Sequence, residues 1–212
     1  MDITLFEIYN EFSKRLGEFG DIYLAGGCVR DHLMSRKAKD FDLFILNNIL
    51  FNDFEKTKDK ILEKLKDLPV VPSLVSWHKS EPYLVITVKY KGVEVQILLN
   101  PSFNVLELLS TFDWNVCLFA YGLSYGKEQF ITQEIIENIG EGKELKLNKI
   151  TFPLSTLRRG FRFSERFLMK LRKEDILSLC SQIVEKSKTG RDIGPEGNEP
   201  DMESLEKNVL VK

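Results

Sequence analysis

A mixed α/β (α+β) sheet with helices on one side is the fold class predicted by three observations: apolar runs of strand length recur along the chain, segments of helical periodicity separate them, and a glycine turn joins one strand to a helix start. Asp2 to Phe19 carries Ile3, Phe6, Tyr9, Phe12 and Leu16 at helical steps and reads as a first helix. Ile22 to Ala25 then forms a short buried strand, which breaks at Gly26 and Gly27 and gives way to a helix near Val29. Such a turn bares backbone N–H groups that suit phosphate oxygens.

Asp40, Phe41 and Asp42 open a second strand that runs on through Leu46. Residues two apart on a strand share a face, so both carboxylates point one way. Asn52 or Asp53 is placed to cap a charged helix ending near Leu68, with Phe54, Ile61, Leu65 and Leu68 inward. Val70 to Trp77, Tyr83 to Tyr90 and Val93 to Leu99 supply further strands, the last two joined as a hairpin at Lys91 and Gly92. A short helix over Val105 to Leu109 and a strand over Trp114 to Tyr121 follow, then a helical stretch from Ser155 to about Glu185. Beyond Lys186 the sequence mixes glycine, proline and charge with few apolar residues and reads as a flexible tail, with a brief closing element over Ser204 to Val211.

Composition narrows the function. With 212 residues, 43% of them hydrophobic and 29% charged, the chain can bury an ordinary core as one domain, or one plus an appendage. Cys28, Cys117 and Cys180 are far apart, so neither a zinc site nor a disulfide framework is expected and a reducing cytoplasm is. No basic leader precedes an apolar core, and no apolar run approaches the roughly 20 residues a bilayer span needs, so the expected protein is unexported. His32 and His78 are isolated, which argues against a histidine metal site or a Ser-His-Asp hydrolase.

The acid pair carries the chemistry. Two anionic oxygens side by side repel unless a cation sits between them, and a divalent ion of the Mg²⁺ type is the ordinary solution. Two such ions can clamp the attacking hydroxyl and the leaving pyrophosphate of a nucleoside triphosphate. On the Val93 to Leu99 strand, Glu94 and Gln96 share one face, so Glu94 is either a third carboxylate at the metals or a solvent-facing strand glutamate.

Downstream, ten Lys or Arg stand against two acidic residues between Lys143 and Lys173, in a chain whose formal net charge is −2. Arg159, Arg162, Arg166, Lys170 and Lys173 recur at steps of three or four and predict one cationic helix stripe, with Leu157, Phe161, Leu168 and Leu171 opposite. That stripe is either a solvated face or a track for an RNA backbone or a triphosphate.

Gly26, Gly27, Val29, Arg30, Asp31, Leu33, Asp40 and Asp42 together reproduce the pattern GGxVRDxLxxxxxxDxD. In these residues the chain resembles the head domain of the class II CCA-adding enzyme and bacterial poly(A) polymerase family. The resemblance implies a polymerase-β-like nucleotidyltransferase mixed sheet followed by a short helical neck, with residues 1–150 as head, 151–187 as neck and 188–212 as tail. It also implies metal-dependent transfer from an NTP (ATP and/or CTP) to an RNA 3′ end, tRNA above all.

On that reading Asp40 and Asp42 hold two Mg²⁺, Glu94 assists as the third catalytic carboxylate or orients the 3′ hydroxyl, Gly26, Gly27 and Arg30 hold the triphosphate, Asn115, Arg159 and Arg162 belong to the nucleotide-binding set, and Arg166, Lys170 and Lys173 guide RNA. Asp31 pairs structurally. Two further stretches match in part. Leu109 to Phe119 (LSTFDWNVCLF) keeps Phe112 and Asn115 of an RRDFTINALAY-like segment but neither its arginines nor its aspartate in register. Asn115 is thus either a nucleotide contact or a buried structural amide. Thr156 to Phe167 resembles the neck helix, but Phe152, Pro153 and Thr156 stand where the family's base-reading EDxxR motif lies, so the choice of C or A does not carry over.

Two other function classes stay open. One is the same transfer to a protein side chain or small molecule. The other is a catalytically silent RNA-binding module. The short helical part also leaves room for a protein partner or a second copy to supply grip on the acceptor.

Overall fold

A computed structural model describes residues 3–46, 54–69, 84–100 and 102–188. The expected cap at Asn52 or Asp53, the strand over Val70 to Trp77, His78, the tail and the closing element at Ser204 to Val211 lie outside the described residues.

Thr4 caps the first helix, α1 (Leu5–Leu16), by accepting from the Glu7 N–H, and Gly17 ends it in a short 3₁₀ turn. Leu5, Ile8, Phe12 and Leu16 fall on its buried face. The strands β1 (Asp21–Ala25) and β2 (Asp40–Leu46) flank α2 (Gly27–Leu33). Then come α3 (Phe54–Lys64), the hairpin of β3 (Leu84–Tyr90) and β4 (Val93–Leu99), α4 (Val105–Ser110), and a second hairpin of β5 (Phe119–Ser124) and β6 (Lys127–Thr132). A two-residue strand β7 (Glu144–Leu145), α5 (Pro153–Phe167), β8 (Lys170–Leu171) and α6 (Lys173–Lys188) complete the described chain.

Six strands form one mixed sheet in the order β3-β4-β2-β1-β5-β6, in which only the β2 and β4 pair is parallel. Alternation sorts its two faces. Phe41, Leu43 and Ile45 of β2, with Val95, Ile97 and Leu99 of β4, join α1 in the larger core. Phe44 and Leu46, with Tyr23, Ala25 and Ala120, pack under Val105, Leu108 and Leu109 of α4 as a second core. Helices therefore cover both faces, not one as expected, because α4 seals the second apolar patch.

Three elements differ from the sequence reading. Trp114 to Tyr121 is not one strand: residues 115–117 form a 3₁₀ turn before β5 begins. Trp114 is fully buried and its indole Nε1 donates to Thr156 O at 2.9 Å, which ties this segment to α5 rather than to a neighbouring strand. Strand β6 is an element with no apolar alternation to announce it, since most of its residues are exposed. The helical stretch after Ser155 is two helices. The chain turns at Leu168, whose φ of 53° is left-handed, where the Met169 N–H bonds Ser164 O and the Ser164 hydroxyl bonds Met169 O.

That break corrects the expected stripe. Lys170 sits in β8 opposite Glu144, and Lys173 begins α6, so neither continues the row of Arg159, Arg162 and Arg166. Phe161 and Leu168, expected inward, are exposed. Among the described residues no helix is long and apolar enough to cross a membrane.

Candidate active site

Strand register decides which side chains meet. β1 runs antiparallel to β2 with Ala25 opposite Asp42, so the glycine turn that follows Ala25 starts beside the second acid. Gly26 adopts φ 78°, a conformation that favours glycine, and donates its N–H to Phe119 O at 2.7 Å. On the other flank the parallel β4 sets Glu94 opposite Asp40 and Gln96 opposite Asp42. Asp40, Asp42, Glu94 and Gln96 therefore occupy one face, the face of the second core.

Asp40 is exposed and Asp42 half-buried, and neither has a cationic partner among the described residues. Burial first, then the charges of Asp40 and Glu94, push the Asp42 carboxyl up to about 7. Glu94 accepts from Gln96 Nε2 at 3.1 Å and does not line the cavity in front of the acids. Its charge reaches Asp42, but its carboxylate stands off to the side.

That cavity, about 920 Å³, has Gly26, Gly27, Asp40, Asp42 and Phe44 on the sheet side. Thr111, Phe112, Asp113 and Glu107 line it from the α4 side, and Thr156, Arg159, Arg162, Phe163 and Arg166 from α5. Lys39 and Lys149 also reach it. These two lysines were not singled out by sequence, and only their positions, one before Asp40 and one four before Pro153, hinted at the site.

Several cations at the cavity are already engaged. Arg30 is 2% exposed, donates Nε and Nη2 to Asp31 Oδ1 at 2.9 and 2.8 Å and Nη1 to Val116 O, and lies over the Phe163 and Phe167 rings. Asp31 accepts on its other oxygen from Arg166 Nη2 at 2.7 Å, so one buried carboxylate bridges α2 and α5. Arg159 donates through Nε to Asp113 Oδ2 at 2.6 Å. Burial raises the Asp113 carboxyl while the Arg159 charge opposes that rise. Arg162 is exposed and has no ion-pair partner among the described residues.

Asn115 does not reach the cavity. It is 3% exposed, its Oδ1 accepts from the Lys146 N–H at 3.0 Å, and its Nδ2 donates to Glu134 Oε2 at 2.9 Å. A side chain so engaged pins the 3₁₀ turn to two loops. Lys170 and Lys173 likewise do not line the cavity.

Among the described residues no group of three or more His, Cys, Asp or Glu forms a ready metal cage. The acid pair itself fits a divalent cation: two carboxylates with no ion-pair partner among the described residues share a face, and Asp42, raised first by burial and then by the charges of Asp40 and Glu94, gains a counter-charge when a cation binds.

The sheet order and flanking helices give a fold similar to that of solved tRNA-processing and CCA-adding enzymes. A tRNA-processing enzyme in its apo form superposes with a TM-score of 0.59 at 18% identity, over 87% of this chain and 49% of that one. The Thermotoga maritima CCA-adding enzyme complexed with tRNA gives 0.59 at 18%, over 87% and 43%, and a CCA-adding enzyme with ATP gives 0.57 at 18%, over 88% and 44%. The chain thus spans less than half the length of these structures, and identities this low speak for the fold alone. By sequence, residues 3–173 match the model of the Gabija anti-defense 2 family (Gad2), and the chain belongs to that family. No curated protein matches it. The likeness to CCA-adding enzymes is one of fold, and the family that the sequence match shows is Gad2.

Proposed function

We propose that this chain is a metal-dependent nucleotidyltransferase that moves a nucleotide from an NTP, ATP and/or CTP, to an RNA 3′ hydroxyl, tRNA being the first acceptor to test. The observation that carries the reading is the cavity itself: two carboxylates with no ion-pair partner among the described residues beside a glycine turn on one wall, and an arginine helix on the facing wall. Asp40 and Asp42 would hold Mg²⁺, which when bound neutralises the developing charge on phosphate and eases deprotonation of the attacking hydroxyl. The protein's own part is positioning. The turn at Gly26 and Gly27 leaves room for phosphate to approach the backbone, and α5 supplies positive charge opposite the acids.

Glu94 serves the pair through its field, by holding Asp42 ready for a cation. Arg166 belongs to the scaffold through Asp31, and RNA guidance falls to the outward basic residues of α5 and of the 143–149 segment.

A second reading concerns the acceptor only. The family description, anti-defense against Gabija, favours an acceptor that belongs to a defence system, a protein side chain or a small molecule in place of tRNA. The experiment incubates the purified chain with each labelled NTP, Mg²⁺ and total tRNA, or with the purified components of the opposing defence system, beside an Asp40→Ala, Asp42→Ala double variant. Label in RNA from the wild type alone supports the first reading, and label in protein or small molecule supports the second. No label under any condition contradicts both.

A further inference from the structure

Charge pairing divides Arg30, Lys149, Arg159, Arg162 and Arg166, which share the cavity with Lys39, into two sets. Arg30, Arg159 and Arg166 each hold a carboxylate of low exposure: the side chains of Asp31 and Asp113 are 4% and 11% exposed. Drawing Arg159 onto a phosphate would leave Asp113 buried without its counter-charge, and drawing Arg166 away would break its bond to Asp31 and leave Arg30 as that carboxylate's one arginine, losses that offset the new contact. Arg162, one helical step from Arg159 and one from Arg166 on the same face of α5, carries no such partner among the described residues, nor does Lys149. Lys149 is nevertheless held in place, because the Asn148 and Lys149 N–H groups both point to Asp113 O, at 2.7 and 3.4 Å. The carboxylate of that same residue anchors Arg159. One residue thus fixes the backbone that carries Lys149 and the turn of α5 that carries Arg162.

We propose that Arg162 and Lys149 bind the triphosphate tail of the incoming nucleotide, and that Arg159 and Arg166 are positioning residues, held by Asp113 and Asp31, that aim α5 at the cavity without binding phosphate. The proposal rests on the nucleotidyltransferase reading and deepens it: of the four cations that α5 and the loop before it bring to the cavity, two contact the tail and two brace the helix.

The test measures equilibrium binding of one NTP and of the matching NMP to the full chain with Mg²⁺, together with thermal melting. In Arg162→Gln and Lys149→Gln, NTP affinity falls about tenfold or more, NMP affinity stays within about twofold, and the melting temperature is unchanged, because a hydrogen bond to a charged group is lost at an exposed site. Arg162→Lys keeps part of the affinity. In Arg159→Gln and Arg166→Gln the melting temperature falls, and the NTP-to-NMP preference persists in the folded fraction. An unchanged preference in Arg162→Gln, or its loss in Arg159→Gln and Arg166→Gln at full folding, overturns the assignment while leaving the enzymatic reading intact. A wild-type chain that binds no NTP with Mg²⁺ overturns the enzymatic reading itself, and this assignment with it.

Discussion

At the residue scale, Asp42 sets stability against function. Its folded-state carboxyl titrates near 7, above the ordinary value of 3.8, so between those limits the native state holds a proton that the unfolded chain has released. Stability therefore falls as pH rises from about 4 to 7 in the absence of a divalent ion. Asp42→Asn removes this loss: at pH 8 without metal the variant should be more stable by on the order of 1–3 kcal/mol after allowance for solvent screening, and incapable of transfer. Melting curves across pH, with and without Mg²⁺, check both the slope and its flattening when the cation binds. Asp31 behaves in the opposite way. Its buried carboxylate answers two arginines, so Asp31→Ala leaves Arg30 uncompensated and should cost about 3–5 kcal/mol in urea unfolding.

At the element scale, α5 is set against the head by one aromatic wedge. A Cβ at position 160 would come within 2.5 Å of Trp114 Cζ2, a ring carbon fixed in the core. Gly160→Ala should therefore destabilise by about 1–3 kcal/mol through overpacking, despite the better helix propensity of alanine, and should weaken NTP binding as α5 lifts. The end of the same helix holds the converse case. Leu168 is 62% exposed and left-handed, so Leu168→Gly gives up little burial and relieves roughly 1 kcal/mol of backbone strain, which a rise in melting temperature would register.

The boundary at Leu168 also shows where sequence reading runs out. The row of basic residues kept a helical period past position 168, and no glycine, asparagine or proline marked a stop. What ends the helix is tertiary: Met169 is 3% exposed, and burying it turns the chain at the preceding residue. Strand β6 was hidden for a related reason. It lies at a sheet edge with Lys127, Glu128 and Gln129 exposed, and its turn pairs left-handed Tyr125 with Gly126, without the Asn or Asp that usually signals such a hairpin. The glycine turn and the acid pair were legible because their logic is local: a two-residue period sets the carboxylates on one face, and a positive φ calls for glycine. The side on which Glu94 lies needed the register of β4 against β2, which no single segment contains.

At the scale of the whole molecule, one sheet brings the ends of β1, β2 and β4 to a common point, and α5 returns from far along the chain to close the cavity over it. A chain with a formal net charge of −2 thus presents a local positive wall against a local negative one. Binding of a polyanionic acceptor along α5 and the 143–149 segment should weaken with added salt, and Lys143→Gln with Lys146→Gln should reduce the slope of log affinity against log salt by about 1–2. A protein or small-molecule acceptor would show a much flatter dependence.

Whether Asp40 and Asp42 drive nucleotidyl transfer is read from release of pyrophosphate from an NTP in the presence of Mg²⁺ and an acceptor, compared between the wild-type chain and the Asp40→Asn, Asp42→Asn double variant. The wild type should release pyrophosphate only with metal, and the double variant, whose fold is retained, should lose at least about 10³-fold, the scale expected when charge stabilisation of the transition state is removed. Equal release from both proteins, or none from the wild type with any acceptor offered, would contradict that role.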